Sequence, residues 1–301
     1  MLEGKTIQSM TGRNSQHSFF SNEMVIKYGG LIFAIVFVGL LYSLIIRPQA
    51  EKVERNNRVL LAQDAGKGEF VPARSISIII KNPEQQICFT LLVWAVIMVS
   101  GKTITIHRIR KNMGEVFIEV EDGERIIPEE ALSHAKHLDS RLQDDPDLKE
   151  QILPKIFLTS LRRFHSTHSI QEVSQSVREI SDSEAERMDS DLSLPRLIIG
   201  FLPMVGFIGT VRGIAQALTN AEKAIRGDIQ GVTENLGLAF NSTFVALILS
   251  IVLMVYVHYL QTRQENLIFE VQEYCRDKLV ALMKIPFKEE GEISMTQNSS
   301  N

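Results

Sequence analysis

Two threonines stand out as residues that could do chemistry in apolar surroundings. Thr210 lies in "GFIGTVRGI" (Gly206–Ile214), where three glycines and an arginine interrupt a run that is otherwise apolar. Thr243 lies in "LGLAFNSTFVALILS", Leu236–Ser250. A hydroxyl has two lone pairs that can replace part of an ion's water shell, but it cannot hold and release a proton near neutral pH. Its place along a helix therefore decides its use. Gly206, Thr210, Gly213 and Ala217 follow at intervals of four, three and four, so they share one helical face. Ala239, Thr243, Ala246 and Ser250 repeat the pattern. Gly209 and Gly213 add a small-xxx-small pair, which lets a second backbone come close. Two readings of the threonines follow: a polar spot lining a narrow pathway, or hydroxyls that each bond the i−4 carbonyl of their own helix.

The elements that must position these residues are membrane spans. The chain has 301 residues, 45% of them hydrophobic, and a mean hydropathy of +0.03. Those averages hide four apolar runs set in densely charged sequence, the mark of an all-α membrane protein with four transmembrane helices and aqueous parts. The first span, "YGGLIFAIVFVGLLYSLII", is about 19 residues without a charge, enough for ~28 Å of helix. The second, Ile87–Gly101, is short and reaches across only with Gln85 and Gln86 or with a snorkelling Lys102. The third and fourth cover Leu197–Leu218 and Leu236–Leu260. Thr210 lies about 8 residues (~12 Å) before the end of its span, and Thr243 about 7 residues (~10 Å) after the start of its own. In antiparallel neighbours the two hydroxyls are thus expected at one depth.

The organisation expected from these runs is as follows. A cytoplasmic segment, 1–24, precedes the first span at 25–46, a periplasmic loop at 47–85 and the second span at 86–104. A cytoplasmic domain fills 105–195, followed by the third span at 196–218. A periplasmic loop at 219–235 leads to the fourth span at 236–260, a long cytoplasmic helical extension at 261–287 and a disordered tail at 288–301. Lys102, Arg108, Arg110 and Lys111 after the second span, and Arg263, Arg276 and Lys278 after the fourth, put both termini in the cytoplasm by the positive-inside tendency. The seven Lys/Arg between 47 and 85 run against it. The first apolar run reads as a retained anchor rather than a cleaved signal. In the aqueous part, Asp122-Gly123 marks a short strand pair and Pro128 a helix start. After the fourth span, Leu267, Val271, Tyr274, Lys278 and Leu282 lie at helical spacing, the pattern of an amphipathic extension.

Several function classes are excluded or disfavoured. A formal net charge of −4, with no interleaved basic and aromatic patch, does not suit nucleic acid. There is no Walker A loop, nucleophile triad or dinucleotide fingerprint, so an enzyme is not expected, nor a cofactor. Cys88 and Cys275 belong to an apolar run and a charged tail and should not pair. His134 and His137, and His165 and His168, are i,i+3 pairs that nothing in the sequence brings together, so no metal is expected. Trp94, Tyr28, Tyr259 and His258 read as interfacial or packing residues. None of the spans carries Asp, Glu or Lys in its core, whereas an ion relay normally needs an ionisable group at that depth. If the chain conducts ions, the carboxylate must come from another polypeptide docked on the small-residue face.

"LPMVGFIGTVRGI", a connection of about twenty residues, and then "LGLAFNSTFVALILS" resemble the MotA/TolQ/ExbB proton-channel family, over about 197–260 and the extension that follows. The resemblance implies a bacterial inner-membrane ring, a homopentamer set in lipid around a single-span MotB/TolR/ExbD-type partner. The partner's membrane aspartate would carry the ion, and the ion-motive force would drive rotation. By position, Thr210 and Thr243 match the pore threonines and Pro203 the kinking proline. The chain departs from the TolQ and ExbB branch at Leu238, where a glutamate is frequent, and at Arg212, where an apolar or aromatic residue is common. Four spans look more like the flagellar-stator branch, although its rotor-contacting motif is not evident between 103 and 195.

The reading is therefore an ion channel or motor subunit, most simply for protons. A sodium-driven motor and a non-conducting scaffold of the same fold are the alternatives. Pro203, Gly206, Gly209, Gly213, Ala217, Ala239, Ala246 and Ser250 would set helix packing and the kink. Arg212 is about 200° around the helix from Thr210 and points away from the pathway. Asn241, at matching depth, is its expected partner in an interface clamp.

Overall fold

The computed structural model describes residues 24–63, 76–113, 125–143, 151–227 and 229–285. The strand pair expected around Asp122-Gly123, most of the amino-terminal segment 1–24 and the tail 288–301 lie outside them. The described residues are helical almost throughout and contain no strand, as expected of an all-α membrane protein. Helix α1 is Gly30–Leu41, flanked by π-helical turns Val25–Gly29 and Tyr42–Ile46 and continued by α2, Arg47–Gln63. Then come α3 (Ile76–Ile79), α4 (Pro83–Asn112), α5 (Pro128–Arg141), α6 (Ile152–Thr167), α7 (Ile170–Asp191), α8 (Ser193–Thr219), α9 (Ala221–Ile225) and α10 (Gln230–Lys278).

Sequence explains where several of these begin. Pro83 opens α4 and Pro128 opens α5, a position where the missing N–H would have had no intrahelical partner anyway. Glu84, Glu129 and Glu130 occupy first turns, and Arg110 and Lys111 the last turn of α4, each matching the helix dipole. Part of the 47–85 stretch expected as loop continues the first helix to Gln63, where Glu51, Lys52, Glu54 and Arg55 and then Leu60 to Gln63 are good helix formers.

Four helical stretches are long and apolar enough to cross a membrane: Lys27–Asn57, Pro83–Lys111, Ile170–Thr219 and Gln230–Leu282, with mean hydropathies of 2.5, 2.0, 1.8 and 2.3 in their most apolar windows. The chain divides into two compact units, Met1–Ile104 with Asp191–Gln261 and Thr105–Ser190 with Thr262–Asn301. The first holds the apolar spans. In it, Val38, Tyr42 and Ile46 pack with Leu41, Ile80, Phe89 and Val93, joining the first span to α4. Trp94 donates from Nε1 to the Lys27 carbonyl at 2.8 Å, and a Cβ on Gly30 would sit 3.2 Å from Ile97. Ser100 and Tyr256 join α4 to α10 at 3.0 Å. Lys102, expected to snorkel, reaches Asp191 at 2.6 Å. Outward faces remain apolar, with Met204, Phe207, Ile208 and Val211 on α8 and Phe240, Phe244 and Ile251 on α10 exposed.

The second unit is a helical core. Ala131, Ala135 and Leu138 of α5 are buried, as are Ile156, Phe157, Leu161 and Phe164 of α6 and Val173 and Val177 of α7. The end of α10 buries Leu267, Val271 and Cys275, and Leu279 just beyond it is also buried, so the buried seam runs through Cys275 and leaves Lys278 outside. Phe157 and Tyr274 pack with ring centroids 6.1 Å apart. A parallel bridge, Ile126 N–H to Leu282 O at 2.8 Å and Lys284 N–H to Ile126 O at 3.0 Å, ties the two sequence segments of this unit together. His165 meets the Pro128 carbonyl at 2.9 Å, and His168 ends α6 in the left-handed conformation.

Candidate functional site

The site lies between α8 and α10, and its closeness comes from glycine. A Cβ on Gly206 would be 2.5 Å from Ala246 Cβ, 3.1 Å from Thr243 Cα and 3.2 Å from the Ser242 carbonyl. A Cβ on Gly213 would be 2.6 Å from Ala239 Cβ, 2.9 Å from its Cα and 3.0 Å from its nitrogen. On Gly209 it would strike Ser242, at 2.6 Å from Cβ and 2.8 Å from Oγ. Side chains cannot separate the helices at these points, so backbone meets backbone. Ala217, Ala239, Ala246 and Ser250 are all buried, and the two small-residue faces oppose each other.

Thr210 and Thr243 meet at the centre of that contact, their hydroxyl oxygens in direct hydrogen-bond contact. Thr210 Oγ1 also lies 3.1 Å from the Ala239 carbonyl and 3.3 Å from the Gly206 carbonyl of its own helix. Thr243 Oγ1 lies 3.2 Å from the Gly206 carbonyl, across the interface. Gly206 O is the i−4 carbonyl of Thr210, and Ala239 O is that of Thr243. Each hydroxyl is thus within reach of the other's i−4 oxygen, so the two helices share what each could have satisfied alone. Two hydroxyl protons can close this set in three ways. Thr210 donates to Thr243, which donates to Gly206 O, or Thr243 donates to Thr210, which donates to Ala239 O or to Gly206 O. In each case both protons are committed to the bundle, and the pair offers only lone pairs to anything else. That suits a cation or a hydrogen-bond donor, and not an anion.

Pro203 sits inside α8 and cannot donate to the carbonyl of Ile199. Ser250 Oγ of α10 donates to that oxygen at 2.9 Å. The carbonyl that the proline leaves unpaired is therefore paired from the neighbouring helix, as a dry environment requires. Cys88 Sγ of α4 donates to another carbonyl of α8, that of Leu202, at 3.9 Å.

Within the chain, Arg212 pairs with Glu84 of α4 rather than with Asn241. Arg212 Nη2 and Glu84 Oε2 are 2.8 Å apart, an ion pair whose angles are not those of a hydrogen bond. Sequence reasoning passed over Glu84 because it stands just before the apolar run that defined the second span. Its signal was a carboxylate directly after Pro83, in the first turn of a helix.

Residues 148–273 match the MotA/TolQ/ExbB proton channel family. No curated protein and no solved structure matches the chain. The matched stretch contains α6 to α9 and most of α10, with both threonines, Pro203 and all three glycines of the contact, while α1 to α5 lie outside it. The stretch that carries the resemblance read from the sequence, about 197–260, lies inside these matched residues.

Proposed function

We propose that this membrane protein is the ion-conducting subunit of a motor that converts an ion-motive force into mechanical work. Thr210 and Thr243 line the pathway. They help to desolvate a cation, most simply a proton carried on a carboxylate from another polypeptide, because Glu84, the carboxylate that α4 brings close to Gly209, is already paired with Arg212. The ion-carrying carboxylate belongs to a single-span MotB/TolR/ExbD-type partner. Several copies of this chain, five by the family's pattern, form the ring around it in a bacterial inner membrane, with both termini and the 105–195 region in the cytoplasm. Pro203 and the glycines hold α8 against α10 so that the hydroxyls stay in register, and no catalytic group or cofactor is required.

The observation that carries this reading is the committed proton geometry of the threonine pair, which leaves lone pairs as its only free valence. Thr210→Val and Thr243→Val keep the shape and remove that valence. In membrane vesicles from cells producing the full complex, each is expected to cut ion uptake at least about tenfold, the size of one lost hydrogen bond to a charge, while the complex assembles normally. Running the assay with proton and sodium gradients separately identifies the ion. Unchanged uptake in both variants would make the pair packing glue and leave the scaffold reading.

A further inference from the structure

We infer that Glu84 is the specificity-determining residue that neutralises Arg212 and thereby keeps the approach to the threonine pathway open to cations. This rests on the pathway reading above and adds a residue from outside the family-matched stretch.

Glu84 is 7% exposed, in the first turn of α4, where the helix dipole favours a carboxylate. Its Cγ is 3.2 Å from the point a Cβ on Gly209 would occupy, and Ser242 Oγ is 2.8 Å from that same point. Glycine at 209 thus lets the carboxylate stem press against α8 itself, in a seam where α4, α8 and α10 converge. The carboxylate ends 2.8 Å from Arg212 Nη2. Arg212 is half-buried, its side chain 40% exposed, and its buried Nε has no hydrogen-bond partner.

The reason such a pair matters lies in its position. Arg212 is two residues beyond Thr210, about 3 Å further along the helix axis. An uncompensated unit charge about 10 Å from a cation, at an effective dielectric near 20, lowers that cation's occupancy by more than about tenfold. Paired with Glu84, the guanidinium acts as part of a dipole and its field falls off far faster. A latch that merely joined α4 to α8 would need both partners equally. Charge compensation treats them unequally, because only the loss of the acid exposes a repulsive charge.

The test measures proton uptake with a pH-sensitive dye, and sodium uptake with radioactive sodium. Both use vesicles from cells producing the full complex, normalised to the amount of complex in the membrane. Glu84→Gln is expected to reduce cation uptake about tenfold or more, Glu84→Asp to retain most of it, and Arg212→Gln to match or exceed the parent. The double variant Glu84→Gln/Arg212→Gln is expected to behave as Arg212→Gln alone, which decides the matter even if Glu84→Gln assembles poorly. The inference is overturned if Arg212→Gln is as damaging as Glu84→Gln, or if the double variant stays inactive. The first outcome means a latch, the second an ion-carrying role for Glu84 itself. Full uptake in the threonine variants would instead sink the pathway reading, whatever Glu84 does.

Discussion

Adding one methyl group to the glycine contact tests whether the helices are held by backbone or by side chains. Gly206→Ala places a new Cβ 2.5 Å from Ala246 Cβ. Carbon atoms in contact prefer about 3.5–4.0 Å, so the helices must part by roughly 1–1.5 Å. Thr210 Oγ1 is already 3.1 Å from the Ala239 carbonyl and Thr243 Oγ1 3.2 Å from the Gly206 carbonyl, so that parting breaks both bonds. Overpacking of this kind costs about 1–3 kcal/mol. Ala246→Gly removes the offending atom and leaves Thr243 Cα at 3.1 Å and the Ser242 carbonyl at 3.2 Å, which a shift of a few tenths of an ångström relieves. Gly213→Ala differs. Ala239→Gly removes the Cβ at 2.6 Å but not the Cα at 2.9 Å or the nitrogen at 3.0 Å, which no substitution can delete. A double-mutant cycle on detergent-solubilised protein, read by denaturant unfolding, should give about 1 kcal/mol or more of rescue for 206/246. For 213/239 it should give under about 0.5 kcal/mol. Equal rescue at the two sites would refute the backbone contact at Gly213.

Two further outcomes follow from groups described above. Ser250→Ala strands the Ile199 carbonyl and should cost about 0.6 kcal/mol, and no more than about 1.7 kcal/mol, the average and upper end for interhelical hydrogen bonds in a membrane bundle. In a Pro203→Ala background, where an N–H can serve that oxygen, the cost should fall toward zero, and an unchanged cost in the unfolding assay would contradict the pairing. In the second unit, burial pushes the Cys275 thiol up to about 12, so it should resist alkylation at pH 8 in the folded protein and react at once on unfolding. The same shift makes the folded state bind the proton more tightly than the unfolded one. Stability should therefore fall as pH rises above about 9, by up to about 1.4 kcal/mol per unit. Cys275→Ser should not show that loss.

Much of the threonine site was legible because helical spacing and rise are fixed by the backbone. Counting residues from the span ends placed Thr210 and Thr243 at one depth, and the small-residue faces implied the partner helix. What counting could not supply was the exchange of i−4 carbonyls between helices. Each hydroxyl alone is equally content with its own carbonyl, and only an interaxial distance set by three glycines brings the other within reach. Glu84 was hidden for a different reason. Apolar runs mark where lipid contacts begin, whereas α4 begins at Pro83, and the turn between those points belongs to the helix without belonging to the run. The helix Arg47–Gln63 escaped because its polar composition reads as a solvent-exposed connection, although its good helix formers also favour helix. In the extension after the fourth span, a register through Tyr274 and Lys278 fits the period as well as one through Cys275. The choice is made by the neighbours that bury Cys275 and Leu279, which lie far away in sequence.

The serine that serves the proline-freed carbonyl makes positions 203 and 250 a single heritable unit. A lineage that loses the serine while keeping the proline inherits an orphaned oxygen in a dry interior. One that loses the proline first makes the serine dispensable, and with it a tie between the two helices. For the pairing of this oxygen the order of loss therefore matters: Pro203 first, and only then Ser250. A proline in one helix is thus answered in the sequence of another.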